Sequence, residues 1–380
     1  MSYGQLASHA SMVFDEVRNR AYLEAMQALI GPETVVLDLG AGIGVLGLLA
    51  AKAGARHVYC VEPSPVARHI RPLAEANGVG DRVTAIQSRI EDVVLPEQVD
   101  LIVSVFTGNL LFTEGLLPSL YAARDRHLKP GGRLLPDRAR LMLQAVDASG
   151  GYGDVVARFR SPSLGIDYSH LVDVAAAHPN YMRRDKPAPS PLSAPACAVE
   201  LDFTSTTQAD VAFEGSVPGI ATGSADALVG WIEVRLGDRW LSTAPDAEDV
   251  HWSPALLPFG TPIEVAEGQA VDVGFRYLDD DRLHWSIGVG DDLRRQSTML
   301  HNPDLLIDMQ LSAAGCTAPL REEGEVVAEV LAGIRAGEDN RALAARLATT
   351  WPRRFPNAAS AMKEVGKLAA RYRRHPARRE

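Results

Sequence analysis

The stretch Val35 to Gly47, VVLDLGAGIGVLG, sets an acid, Asp38, just ahead of glycines at 40, 42, 44 and 47. Glycines between a strand and a helix let a ligand approach the main chain and aim helix N–H groups at it. Two chemistries use such a turn. Gly42, Gly44 and Gly47 fit the G-x-G-x-x-G fingerprint, in which the helix end holds a pyrophosphate. Gly40, Gly42 and Gly44 behind an acidic strand end suit a cationic ligand instead. Asp38 separates the two. A carboxylate there repels phosphoryl oxygens and attracts the ammonium and sulfonium of S-adenosylmethionine. Glu62, in the sequence VEP with Pro63, is placed to accept both ribose hydroxyls of either ligand and does not discriminate. The charge match favours S-adenosylmethionine.

These residues need a framework. VVLDL reads as a buried strand, Val45 to Ala53 as a helix closed by Gly54, and HVYCVE as a second strand. Pro65 to Asn77 reads as a helix with Gly78 past its end. VTAIQS and VDLIVSVF follow as strands, Lys129 to Gly132 reads as a turn, and GRLLP begins another strand. Alternation of this kind predicts a parallel, doubly wound sheet. Residues ~1–30 read as helices ahead of it. After about Pro136 short alternating runs appear, among them RARLMLQAV, AVELDF, DALVGWIEVRL, AVDVGFRYL and LHWSIGV, the pattern of an antiparallel sandwich or barrel. Tyr181 to Pro195 is proline-rich and reads as an extended arm or loop. From about Asn302 three segments with apolar helical faces follow.

The bulk numbers restrict the function classes. The 380 residues suffice for two or three domains. A net charge of −10 argues against general nucleic-acid binding, although Arg341 to Glu380 carries eleven Lys or Arg against two acids. No apolar run reaches the roughly 20 residues needed to span a bilayer. No basic start precedes an apolar block as a secretion signal would require. Cys60, Cys197 and Cys316 show neither metal nor disulfide spacing, so a reducing cytoplasm is the natural setting.

The motifs together resemble the protein arginine methyltransferases over residues 1 to 290. DEVRNRAY, from Asp15 to Tyr22, is similar to their cofactor-covering helix. That resemblance implies cofactor roles for Met12 and for Arg18, whose partner is the ligand carboxylate. VLDLGAGIGVLGLLAAKAGARHVYCVE resembles the first cofactor motif. Ile90-Glu91 matches the pair that contacts adenine, and the resemblance implies a cofactor contact at Ser104 as well. ARDRHLKPGGRLLPDRARL resembles the passage from parallel sheet to barrel. GIDYSHLVDVAAAHP resembles the entry to a dimerisation arm, near residues 166–200, which implies a homodimer. LSTAPDAEDVHWSP resembles the barrel loop that reaches the active site and supplies His251 and Trp252. The implied architecture is an α/β Rossmann-like methyltransferase domain, then an antiparallel β-barrel domain, then a small C-terminal helical or winged-helix module. The corresponding division is 1–30, 31–138, 139–302 and 303–380.

The acceptor hairpin departs from the family. Family members carry two glutamates that clamp a guanidinium. Here the hairpin reads SVFTGNLLFTEG, keeping the second as Glu114, with Val105 at the first position and Asn109 in place of a tyrosine. A guanidinium is always charged and presents a planar fork of donors. Removing one charge-assisted partner from a dry pocket costs about 1.5–3 kcal/mol. The pocket therefore suits a smaller or less cationic nucleophile. His251 can order Glu114 or act as base, since the unperturbed imidazole titrates near neutral pH; a packed barrel-loop histidine is the plain alternative. Glu114 and His251 are the catalytic candidates, and Val105, Asn109 and Trp252 line the acceptor pocket. No metal-ligand cluster is evident.

Three functions are compatible with these residues: methyl transfer to nitrogen of a peptide or small molecule in natural-product biosynthesis, O-methylation of a metabolite, or an inactive peptide-binding relative. The C-terminal segment resembles winged-helix elements that hold leader peptides, and its basic stretch would suit an acidic leader.

Overall fold

The computed structural model describes residues 10–150, 154–183, 186–278, 282–300 and 304–373. The chain forms two compact units, Met1–Pro303 and Asp304–Glu380.

The first unit begins with helices α1 (Ala10–Val13) and α2 (Glu16–Leu29). The Asp15 carboxylate accepts the Arg18 N–H and so caps α2. Next come β1 (Val35–Leu39), α3 (Val45–Lys52), β2 (His57–Val61), a 3₁₀ turn with α4 (Ile70–Ala76), β3 (Val83–Ile86), β4 (Val99–Ser104), α5 (Leu117–His127) and β5 (Leu128–Leu135). The five strands are parallel in the order β3-β2-β1-β4-β5. All five residues of β1 are buried, because helices cover both faces of such a sheet. The order reverses between β1 and β4, and ligands of open α/β sheets bind outside the strand ends at that point. Asp38 lies beside Val103 there, and Leu39 beside Ser104. The turn expected at Lys129 to Gly132 falls within β5 instead. Its pairing with β4 jumps from Leu128 to Arg133, so the proline–glycine segment bulges out of a continuing strand.

The strands of the rest of this unit form two antiparallel sheets. β6 (Arg138–Asp147) pairs with Gly223–Leu236, which pairs with Ala255–Val265. Ala196–Asp202 adds to the other edge of β6. Val211–Pro218, Ala270–Leu278, Arg282–Val289 and Asp292–Ser297 form the second sheet. Inward residues such as Phe259, Phe275 and Trp285 are at most 2% exposed. Among its described residues, the proline-rich segment carries the two-residue strands Asn180–Tyr181 and Ser190–Pro191. The region expected to start the arm holds a 3₁₀ turn, Ser169–Leu171, and the short helix Val172–Ala176.

The second unit is helical: Leu305–Ser312, Glu322–Arg335, Asn340–Thr350 and Ala358–Tyr372. Val326, Val330, Leu343, Leu347, Phe355, Val365 and Leu368 form a core of its own. A capping box at Asn357 and Ser360 starts the last helix. The helical expectation is met with one helix more than the three read from the sequence. Residues 304–373 contain no strand among those described, so the winged form is replaced by helices alone. No described helix is long and apolar enough to cross a membrane.

Candidate active site

The glycine loop is shaped by backbone demands. Gly40, Gly42 and Gly44 have φ of 71°, 56° and 89°, where any other residue is strained. A Cβ on Gly40 would lie 2.2 Å from Phe106 of the acceptor hairpin. Gly47 has a different duty. Its Cβ would stand 2.4 Å from Cys60 Sγ, so its absence lets α3 press on β2 while the Gly47 N–H donates to Asp38 Oδ2 at 2.7 Å. The third glycine of the apparent dinucleotide fingerprint thus serves helix–strand packing.

Asp38 is 2% exposed. Burial pushes its carboxyl up to about 7, with the charge of Glu62 adding and the Gly47 N–H opposing. Such a group gains from a cation nearby. Glu62 is held by two backbone donors, Gly42 N–H to Oε2 at 3.0 Å and Ser64 N–H to Oε1 at 2.8 Å. Pro63 follows it at the surface. Ile90 is buried, and the Ser119 hydroxyl donates to Glu91 at 2.5 Å. The Ser104 carbonyl accepts the Tyr22 hydroxyl at 2.8 Å, which fixes α2 over the end of β4.

A second cluster forms where α2 meets the barrel loop. Arg18, 3% exposed, donates to the Met12 carbonyl and to Asn19 Oδ1. Its guanidinium lies 3.5 Å from His251 Nδ1 and 6.0 Å from the centre of the Trp252 ring. Asp15 was read from the sequence only as part of the covering helix, yet it ties the cluster together. Its Oδ2 accepts the His251 backbone N–H at 2.8 Å and lies 2.9 Å from His251 Nδ1. Burial raises the Asp15 carboxyl, but hydrogen bonds from the His251 side chain, the His251 backbone and the Arg18 backbone outweigh it, leaving the group below its ordinary range. Burial lowers His251, Asp15 opposes, and Arg18 lowers it further. An ionised Asp15 facing a neutral imidazole places the proton on Nδ1 and the lone pair on Nε2.

The acceptor hairpin sits on the other side. Asn109 Oδ1 accepts the Ser253 N–H at 3.0 Å and fastens the hairpin to the loop carrying His251 and Trp252. Val105 is half-buried at the end of β4. Glu114 is exposed, with φ of 84°, and Leu111 has φ of 64°; both are rare backbone states for residues with a Cβ. The structure therefore gathers Met12, Arg18, His251, Trp252 and Asn109 and leaves Glu114 on the exposed turn. The signal for Asp15 was its capping position ahead of Arg18; its partner lies 236 residues away.

Known proteins resemble this chain in sequence and fold. The Methyltransferase domain family matches residues 36–132, and the Arginine methyltransferase oligomerization subdomain matches 137–283. Protein arginine N-methyltransferase 1 of Chlamydomonas reinhardtii is 35% identical over 67% of this chain and 76% of its own. The chain belongs to the protein arginine N-methyltransferase family. Another member, from Schizosaccharomyces pombe, is 30% identical over 71% of this chain and 81% of its own. The Trypanosoma brucei PRMT1 enzyme–prozyme heterotetrameric complex with AdoHcy superposes with a TM-score of 0.70 at 26% identity, over 78% of this chain and 99% of that one. This arginine methyltransferase relative is an S-adenosylmethionine-dependent methyltransferase. The residues fit that cofactor: side chains at Gly40, Gly44 or Gly47 would crowd Phe106, Ile70 or Cys60, and two buried carboxylates border the turn.

Proposed function

We propose that this protein transfers a methyl group to a side-chain nitrogen of a peptide or protein. The observation that carries the reading is the Asp15–His251 pair packed with Arg18 and Trp252 beside the glycine cradle. Met12, Arg18, Asp38, Gly40, Gly42, Gly44, Glu62, Pro63, Ile90, Glu91 and Ser104 hold the cofactor. The cofactor supplies an electrophilic methyl on a cationic sulfur.

The protein's own work is placement and proton handling. An acceptor lone pair must be held ~3–3.5 Å from the carbon it attacks. Val105, Asn109 and Trp252 shape the acceptor pocket, and Glu114 supplies its carboxylate when the hairpin turns inward. With one carboxylate, a guanidinium is bound but less firmly oriented than with two. His251 Nε2 is available to take a proton, and Asp15 keeps that lone pair directed by fixing the opposite nitrogen. Val105 also favours a second reading, O-methylation, because a hydroxyl needs no paired carboxylates. The exposed Leu164 and Ile166 near the arm support a homodimer. A natural-product pathway would explain the altered hairpin through a peptide acceptor unlike the family's usual one.

The test is mass spectrometry of products from an arginine peptide, a lysine peptide and a hydroxylated small molecule. Methylated nitrogen on a peptide supports the reading, and methyl ethers alone would overturn it.

A further inference from the structure

The outer face of the second antiparallel sheet carries a groove of about 720 Å³, separate from the glycine cradle and the acceptor hairpin. Its size is in the range of ligand sites. Strand register defines its floor. Arg276 lies opposite His284, which lies opposite Ser297. Two residues along, Gly274 lies opposite Ser286, which lies opposite Arg295. Side chains alternate across a strand, so all six share the outward face, with Glu214 beside Gly274 on the neighbouring strand. Ala212, opposite Arg276 on the neighbouring strand, and Leu300 add apolar surface at the margins.

The position of Gly274 matters here. A Cβ there would stand 2.4 Å from Ser286 Oγ, so the missing side chain leaves that hydroxyl lying over the centre of the floor. Arg276 and Arg295 stand diagonally across this point. Two strand spacings and two residues of rise separate their backbones by about 12 Å. Arginine side chains of about 6 Å close that span from both sides. Neither guanidinium is within ion-pair distance of a carboxylate among the described residues. Arg138, Arg140 and Arg235, on the first sheet, are each matched to Glu200, Asp202, Glu233 or Asp137. The groove thus offers two planar donor forks, an imidazole and hydroxyls against a single acid. Arginine forks match carboxylates through paired donors.

We infer that this groove binds an acidic peptide segment, seating its carboxylates on Arg276 and Arg295 away from the methyl-transfer site. The occupant is extended chain because the floor runs across three strands and its apolar margins accommodate aliphatic stems. The identification of that segment as part of the methylated substrate rests on the peptide-acceptor reading above. Binding itself does not.

The experiment uses a fluorescein-labelled ten-residue peptide of Asp, Glu and Gly, with no acceptor nitrogen side chain, titrated with the full-length protein. Its Asn, Gln and Gly counterpart is the control. The expected result is salt-sensitive binding of the acidic peptide, weakened at least tenfold in R276Q/R295Q, with S-adenosylhomocysteine affinity unchanged as the check on folding. The exposed Lys363 and Lys367 of the last helix provide the competing cationic surface. Loss of binding in K363Q/K367Q with none in R276Q/R295Q would overturn the assignment. So would absence of binding, or inorganic phosphate displacing the peptide at equal concentration. If the peptide binds here and no peptide is ever methylated, the groove stands and the acceptor reading falls.

Discussion

The cofactor cradle and the acceptor hairpin touch through Gly40 and Phe106, yet they are built on different terms. In the cradle the polar side chains are held by the backbone: Asp38 by Gly47, Glu62 by Gly42 and Ser64, Tyr22 by Ser104. Its positive-φ positions are all glycine. The hairpin keeps two non-glycine residues in the left-handed region and exposes its one carboxylate. The hairpin is anchored by buried Leu110, Leu111 and Phe112, and only its end at Glu114 and Gly115 lies at the surface, where a shift disturbs few contacts. In the proposed assignment, the part that would hold the cofactor is buried and hydrogen-bonded, and the hairpin that would meet the acceptor carries the sequence change.

The largest effect expected from breaking this contrast is at Glu114. Glu114→Gln removes the hairpin's remaining charge. It should lower kcat by about a hundredfold or more, the scale of a lost acid–base or orienting carboxylate, while leaving S-adenosylhomocysteine binding within about twofold. A variant with near-normal turnover would mean that the exposed position seen here is also the working one. Asp15→Asn comes next. It leaves the cap oxygen in place but removes the charge that raises His251. His251 should then titrate lower still, and methyl transfer should fall about tenfold or more as the ring loses its charge-assisted partner. The pH–rate profile of kcat checks this, since a role in packing alone would leave its acid limb unmoved.

Val105→Glu sharpens the comparison in the opposite direction. Restoring a second carboxylate should raise kcat/KM for an arginine peptide about tenfold, matching the net value of one charge-assisted bond. It should do nothing for a hydroxyl acceptor. An unchanged ratio between the two acceptors would show that Val105 does not face the nucleophile.

Legibility in the sequence follows the same division. The cradle could be read because its requirements are local: glycine where φ is positive, an acid at a strand end. The five parallel strands were legible from buried apolar runs. Val211–Pro218, Asp292–Ser297 and Ala255–Val265 were not. The last contains Pro258 and Pro262, which ordinarily argue against a strand. The prolines are tolerated because its partner Asn180–Tyr181 pairs only at Ala255 and Leu256, leaving the later residues without a ladder on that side. The Pro258 carbonyl instead accepts the Trp285 indole N–H. Asp15 was hidden because no sequence pattern announces a contact made across the whole first unit.

The smallest effect concerns the cradle's own charge. The unfolded chain ionises Asp38 near 3.8, whereas the folded chain keeps the proton to about 7. Across that window the folded state holds a proton that the unfolded state has lost, so this group's contribution to stability declines as pH rises. A cationic ligand prefers the carboxylate and expels the proton. S-adenosylmethionine affinity should therefore climb about eightfold between about pH 5.5 and 6.5, below the range in which the ligand's own amine titrates. Calorimetry near pH 6.5 in two buffers of different ionisation enthalpy should detect the released proton. Asp38→Asn, which can still accept the Gly47 N–H, should flatten both signals. A wild-type affinity that is level across this range would place the ligand's positive charge elsewhere, and the electrostatic case for the cradle would then rest on Glu62 alone.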